Sequence, residues 1–194
     1  MKKRLTALLL AAAVCTGTCS IPAVSSPAAG TGTFDTVTVQ AAAKPSASSL
    51  AAAIKKAYGE NYWPDYKLDK DEIKSKYGVA SSLYTSAYAE VPMISAHVDQ
   101  MVIFKAKNKA AKKKILSAVK TYQKNLKEDT MQYPANLLKI QASKVYTNGN
   151  YICFFMLGGT VDKSVEENGS DEEIIKAYQK LNNKAVSTVK KKLK

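Results

Sequence analysis

Ser95, His97 and Asp99 are the residues of this chain whose types and spacing come nearest to a reactive set. A serine, an imidazole and a carboxylate can act as nucleophile, base and orienting acid, the arrangement behind acyl transfer. The chain has one histidine, so His97 is the imidazole such a set would use. On an extended strand His97 and Asp99 would project to the same face. The surroundings argue against it. A nucleophilic serine needs a strained or helix-linked turn and nearby oxyanion donors, and no Gly-x-Ser-x-Gly pattern is present. No catalytic residue is therefore assigned. An enzyme of unknown type resting on these three residues is kept only as the last alternative.

Other familiar chemistries lack their ligands. One histidine and a single cysteine beyond the leader, Cys153, do not make a zinc set. Cys153 sits in an apolar run and reads as a buried, inert thiol. Asp65, Asp69, Asp71 and Glu72 cluster without the regular loop spacing of a calcium hand. Gly158-Gly159 is too short for a phosphate-binding loop and reads as a turn. No metal and no cofactor are expected.

Two groups of residues suit binding. Tyr62, Trp63 and Tyr66 gather around Pro64, close to Tyr58. Their faces can stack on sugar rings or on a partner, and tyrosine hydroxyls add hydrogen bonds. The plainer reading is a loop packed onto the core. Lys105, Lys107, Lys109, Lys112, Lys113 and Lys114 straddle a predicted strand-to-helix junction. They form a candidate face for an anionic polymer, although a solvated helix face has the same pattern.

Charge and leader give these groups a setting. The chain of 194 residues carries 29 basic and 16 acidic side chains, a net +13. Lys2, Lys3 and Arg4 precede an apolar run from Leu5 to Val14, followed by small residues with candidate cleavage sites after Ala23 and Ala43. That is the layout of a secretory signal, and the run is too short for a bilayer anchor. Cys15 and Cys19 are not preceded by an aliphatic-small-small run, so no lipid attachment is expected at either. The expected location is secreted or extracytoplasmic, associated with the cell envelope. Removing the leader's three bases and one acid leaves +11 on the remainder. Such a field concentrates anionic partners. Outside the cell these are wall polymers or another envelope protein rather than nucleic acid.

The elements that must position these residues are legible from periodicity. Leu50, Ile54, Ala57 and Tyr58 share a helical face, with Gly59 as the stop. Asp69 and Glu72 form a capping box for a second helix, with Leu68 and Ile73 as its staple and Gly78 at its end. From Leu83 to Lys107 the pattern is extended, broken at Pro92, with Leu83–Glu90 ambiguous between strand and helix. Val102, Phe104 and Ala106 fall on one face, and Met101, Ile103 and Lys105 on the other. Ala111, Ile115, Ala118, Val119, Tyr122 and Leu126 make an amphipathic helix with lysines outside the stripe. Asn148-Gly149 predicts a type I′ hairpin that sets Tyr146 opposite Tyr151. Ile152 to Leu157 is apolar on both faces, so it is either central and covered twice or part of an interface. Ser170 and Glu173 cap a last helix, buried through Ile174, Tyr178, Leu181, Ala185 and Val189.

Three segments together resemble a known family. They are Pro92-Met93-Ile94-Ser95 with Val98-Asp99, then Gln132-Tyr133-Pro134-Ala135-Asn136, then Gly149-Asn150-Tyr151-Ile152-Cys153-Phe154-Phe155 with Leu157-Gly158. The combination resembles domain-of-unknown-function family 4358, found in small exported and lipid-anchored proteins of Gram-positive, clostridia-like bacteria. The resemblance implies export, a small α+β domain and no catalytic residues to carry over.

The expected architecture is therefore a leader over residues 1–43 and a single α+β domain over 44–194. In that domain a small antiparallel sheet, of roughly three to five strands, packs against a long central helix and a C-terminal helix, after two short helices. The expected function is that of an exported, non-enzymatic binding or accessory protein of the envelope, using its lysine-rich face. A protein-interaction subunit using the apolar sheet surface around Tyr151–Leu157 is the first alternative. No membrane-spanning helix is expected once the signal is removed.

Overall fold

The apolar run Tyr151–Met156 lies inside a five-stranded sheet and is buried at every position. The computed structural model describes residues 44–94 and 96–194, so the expectations for the leader and for Ser95 lie outside the described residues. In chain order the elements are α1 (Ala47–Tyr58), β1 (Tyr66–Lys67), α2 (Lys70–Tyr77), β2 (Tyr84–Val91), β3 (Gln100–Ala106), α3 (Lys109–Glu128), α4 (Pro134–Gln141), β4 (Lys144–Asn148), β5 (Tyr151–Met156), α5 (Lys163–Asn168) and α6 (Asp171–Lys192). The strands are antiparallel throughout, in the order β1-β2-β3-β5-β4. The fold is α+β, as expected, and the ambiguous stretch before Glu90 is strand.

Alternation along β3 and β5 decides the layers. Val102, Phe104, Ala106, Ile152, Phe154 and Met156 point to one side and pack with Ile73, Tyr77, Ile115 and Val119 of α2 and α3. Met101, Ile103, Tyr151, Cys153, Phe155 and Leu157 point to the other and pack with Leu50, Ile54, Ala185 and Val189 of α1 and α6. The sheet is thus covered on both faces. A strand apolar on both faces needs two such covers, because either face left open would expose a contiguous apolar patch. This corrects the idea of an interaction surface at Tyr151–Leu157: those side chains are spent in the core.

The caps hold as expected. Asp69 accepts from the backbone N–H groups of Asp71 and Glu72, and Glu72 returns to the Asp69 N–H. Ser170 and Glu173 do the same for α6. The hairpin differs by one step. Asn148 pairs with Tyr151 and Tyr146 with Cys153, so the turn is carried by Gly149 and Asn150. Gly149 takes a left-handed φ of 52° at the first turn position, where a glycine is cheapest. Tyr146 and Tyr151 still share a face, on the α1/α6 side, but are diagonal rather than opposed. No helix among the described residues is long and apolar enough to cross a membrane.

Candidate functional site

The most constrained cluster lies where β3 begins and β5 ends. Asp99 immediately precedes β3, Lys139 comes from α4, and Gly159 follows β5. The Lys139 ammonium donates to Asp99 Oδ2 and to the Gly159 carbonyl. Gly159 N–H donates to Asp99 Oδ1 at 3.0 Å. Asp99 is 1% exposed and Lys139 4%. The rings of Tyr178 and Trp63 flank the ammonium at 5.3 and 5.5 Å from their centroids. Burial pushes the Lys139 pKa down, and the Asp99 charge works against that shift. A charge pair this deep persists only because each member is hydrogen-bonded.

Gly159 is held to glycine by two conditions. Its φ is 63°, and a Cβ there would lie 2.8 Å from Cε2 of Trp63. The indole therefore seats directly on the Gly159 backbone. Nearby, Asn182 is fully buried; its Oδ1 accepts from Leu157 N–H at 2.9 Å and its Nδ2 donates to the Ala142 carbonyl at 3.0 Å. Asn136 Nδ2 donates to the Ala96 carbonyl at 2.9 Å, tying α4 to the β2–β3 connection.

Above the ion pair, Tyr62, Trp63, Asp65, Pro92, Ile94 and His97 line a cleft of about 330 Å³. His97 meets the Trp63 ring edge-on, with centroids 4.8 Å apart. The Tyr62 hydroxyl donates to Glu90 Oε2 at 2.5 Å, and Glu90 also accepts from Tyr88 and Lys55. Asp65 Oδ1 accepts from Met93 N–H at 2.8 Å. Of the three aromatic candidates, Tyr62 and Trp63 share this cleft. Tyr66 does not; its hydroxyl donates to Glu72 beside α2. The half-buried Trp63 ring lies against the ion pair and walls the cleft, so it packs onto the core as the plainer reading expects.

His97 and Asp99 sit in the β2–β3 connection, not on a strand, because β3 starts at Gln100. Their expected shared strand face is corrected accordingly. Both Asp99 oxygens are taken by Lys139 and Gly159, so Asp99 does not orient His97.

The lysine candidates divide. Lys107, Lys109, Lys112, Lys113 and Lys114 stay together at the start of α3, all exposed except the half-buried Lys112. Lys105 is on the opposite side of the sheet, where its ammonium donates to the Lys44 carbonyl at 2.8 Å and to the Pro45 carbonyl at 3.4 Å. It fixes the entry to α1 rather than joining the α3 row. Across its 20 residues α3 has seven lysines and one acid, Glu128. Among the described residues the ion pair from this lysine set is Lys124 with Glu128, at 3.8 Å.

Sequence reasoning gave no place to Lys139, Glu90 and Asn182, named Asn136 only within the family resemblance, and read Gly159 only as part of a turn. For Asn182 a signal existed: it falls in the helical stripe between Tyr178 and Ala185. Lys139 carried none, because its helix of eight residues is too short to show a period and has no side-chain cap at its start.

The sequence profile of the family described as Domain of unknown function (DUF4358) matches residues 57–157. No curated protein and no solved structure matches the chain. The three segments that carried the resemblance supply Asp99, Asn136 and the end of β5, and so converge on the cluster around the ion pair.

Proposed function

The chain belongs to the DUF4358 family, a domain of unknown function, and from that premise we propose that it is an exported, non-enzymatic binding protein of the bacterial cell envelope. It holds anionic wall polymer through the outer face of α3. The observation that carries this reading is the uncompensated charge of that helix. Five of its seven lysines are exposed, and one of the seven has an acidic partner among the described residues. A field of this kind attracts polyanions over about a Debye length and loses its reach as salt rises.

Co-sedimentation of the intact chain with purified cell wall tests the reading. Binding should be strong at low salt and collapse over about a tenfold rise in ionic strength. Lys112→Gln/Lys113→Gln/Lys114→Gln should weaken it at low salt while leaving the circular dichroism spectrum unchanged. No sedimentation at either salt would sink the wall-binding reading.

A second reading has its own observation. The large apolar side chains left exposed among the described residues are Tyr66, Met93, Ile94, Met131, Tyr133 and Leu137. Strand pairing of Tyr66 with Val91 and the Asn136–Ala96 hydrogen bond bring their segments to the same end of the sheet. The acids Asp65 and Asp129 lie among them, so a partner protein suits this end better than an anionic polymer does. Such binding should resist salt, vanish when the wall is treated with protease, and be lost in Ile94→Ser/Tyr133→Ser. Salt-resistant binding that survives protease would rule it out.

A further inference from the structure

A groove of about 540 Å³ runs between α2 and α3, lined by Lys76, Tyr77, Gly78, Lys114, Ser117, Ala118, Thr121, Tyr122 and Asn125. Its volume is that of a small-ligand site. Its chemistry is one-sided: two ammoniums, two aliphatic hydroxyls and a carboxamide face it, and no carboxylate does. Lys114, Ser117, Thr121 and Asn125 follow one another at steps of three, four and four along α3. That spacing aligns them in a single stripe. Lys76 comes from the far wall, its ammonium 5.7 Å from the centroid of the Tyr122 ring.

The groove's walls are fixed while its donors are idle. Tyr77 and Tyr122 both donate their hydroxyls to Gln100 Oε1, at 2.9 Å each, and so are held by the core. Among the described residues, Lys76, Lys114, Ser117, Thr121 and Asn125 have no side-chain hydrogen bond or ion pair. Protein crowding around the Lys76 ammonium pushes its pKa down. A nearby anion would relieve that cost. The C-terminal end of α2 adds partial negative charge here, about half an elementary charge, against two full positive ones. At Gly78 the space above the backbone is open.

We propose that this groove is the phosphodiester-binding subsite of the α3 face, with Lys76 and Lys114 clamping one phosphate and Ser117, Thr121 and Asn125 bonding the polyol beside it. The ligand class is a polyol-phosphate chain, in which charged phosphodiesters alternate with hydroxyl-bearing carbons. The inference rests on the wall-binding reading above and narrows it from a diffuse field to one seat. A carboxylate polymer would meet the same charges but would leave the hydroxyl and amide donors unmatched.

The test is titration calorimetry of the intact chain with a synthetic poly(glycerol phosphate) oligomer. Poly-glutamate of equal charge and vesicles containing phosphatidylglycerol are the comparison probes. Lys76→Gln/Lys114→Gln should lower affinity for the oligomer by about tenfold or more, the loss expected for charge-assisted bonds. Lys109→Gln/Lys113→Gln removes the same charge outside the groove and should cost much less. Ser117→Ala/Thr121→Ala should erase the preference over poly-glutamate without altering the salt dependence. Equal losses in the two lysine pairs, equal affinity for both polymers, or tighter binding to the vesicles than to the free oligomer would each overturn the proposal. If the intact chain binds wall but the groove variants bind the oligomer normally, the groove fails and the wider reading stands. If the intact chain binds neither, both fall together.

Discussion

At the scale of single residues, the Lys139–Asp99 pair separates position from chemistry. Asp99 stands out in the sequence for a pairing with His97 that the fold does not build. Its partner went unnoticed because the two lie forty residues apart in sequence and meet only once α4 is docked. Nothing in local composition announces such a meeting. The pair makes a sharp stability prediction. Lys139→Met leaves a carboxylate buried without its counter-charge and should cost about 3–5 kcal/mol. Lys139→Met/Asp99→Asn removes the stranded charge but keeps an oxygen for the Gly159 N–H, so it should recover a large part of that loss. Urea denaturation of both variants decides the matter. A Lys139→Met cost below about 1 kcal/mol would show that the buried Asp99 carboxyl does not depend on this counter-charge. Cys153 is the opposite case: its inert, buried placement was legible from the apolar run around it, and burial pushes its thiol pKa up.

At the scale of elements, sequence reading succeeded where a rule is local. Both capping boxes, the α3 stripe and the two faces of β3 follow from spacing alone, and the structure has them. It failed where an element is short and carries no capping box; α2 is as short as α4 but has one. The helices α4 and α5 have eight and six residues, too few to show a period, and β1 has two. The hairpin slipped by one residue because Asn-Gly and Gly-Asn both suit a two-residue turn, and cross-strand packing chooses between them. The α6 capping box offers a test with a definite sign. Hydrogen bonds from the Ser170 N–H and hydroxyl hold the Glu173 carboxyl below its usual pKa. A carboxylate with a depressed folded pKa contributes stability that is present above its unfolded value. That contribution is lost as pH falls through the folded value. Glu173→Gln keeps the acceptor oxygen and loses the charge that favours the helix start. The variant should therefore melt slightly below the parent at neutral pH, with the gap closing as pH drops below about 4.5. A gap unchanged down to strongly acidic conditions would assign the effect to packing.

At the scale of the whole molecule, one layer is built from the two ends of the described chain. The helices α1 and α6 pack on each other and on the same sheet face. The family match starts inside α1 and ends one residue past β5. A chain cut to residues 57–157 would lack that cover and expose Met101, Ile103, Phe155 and Leu157. It should aggregate or bind hydrophobic dye, while residues 44–194 remain soluble and melt cooperatively. Light scattering and dye fluorescence check this, and a monomeric, cooperatively melting 57–157 fragment would contradict it. That two-sided cover was legible in part, since the unbroken apolar run of β5 demanded it. Which helices supply it was not, because helix-to-sheet assignment depends on the crossing of long connections rather than on any residue's type.

This arrangement also gives the molecule an internal clock. Cys153 lies at 0% exposure beneath the layer formed by the two ends and is the one cysteine among the described residues. A thiol reagent can reach it only when that layer lifts or the whole sheet opens. Its rate of modification in native buffer therefore counts openings one by one. When that rate is compared with the rate of global unfolding, the two terminal helices are seen to leave either together with the sheet or ahead of it.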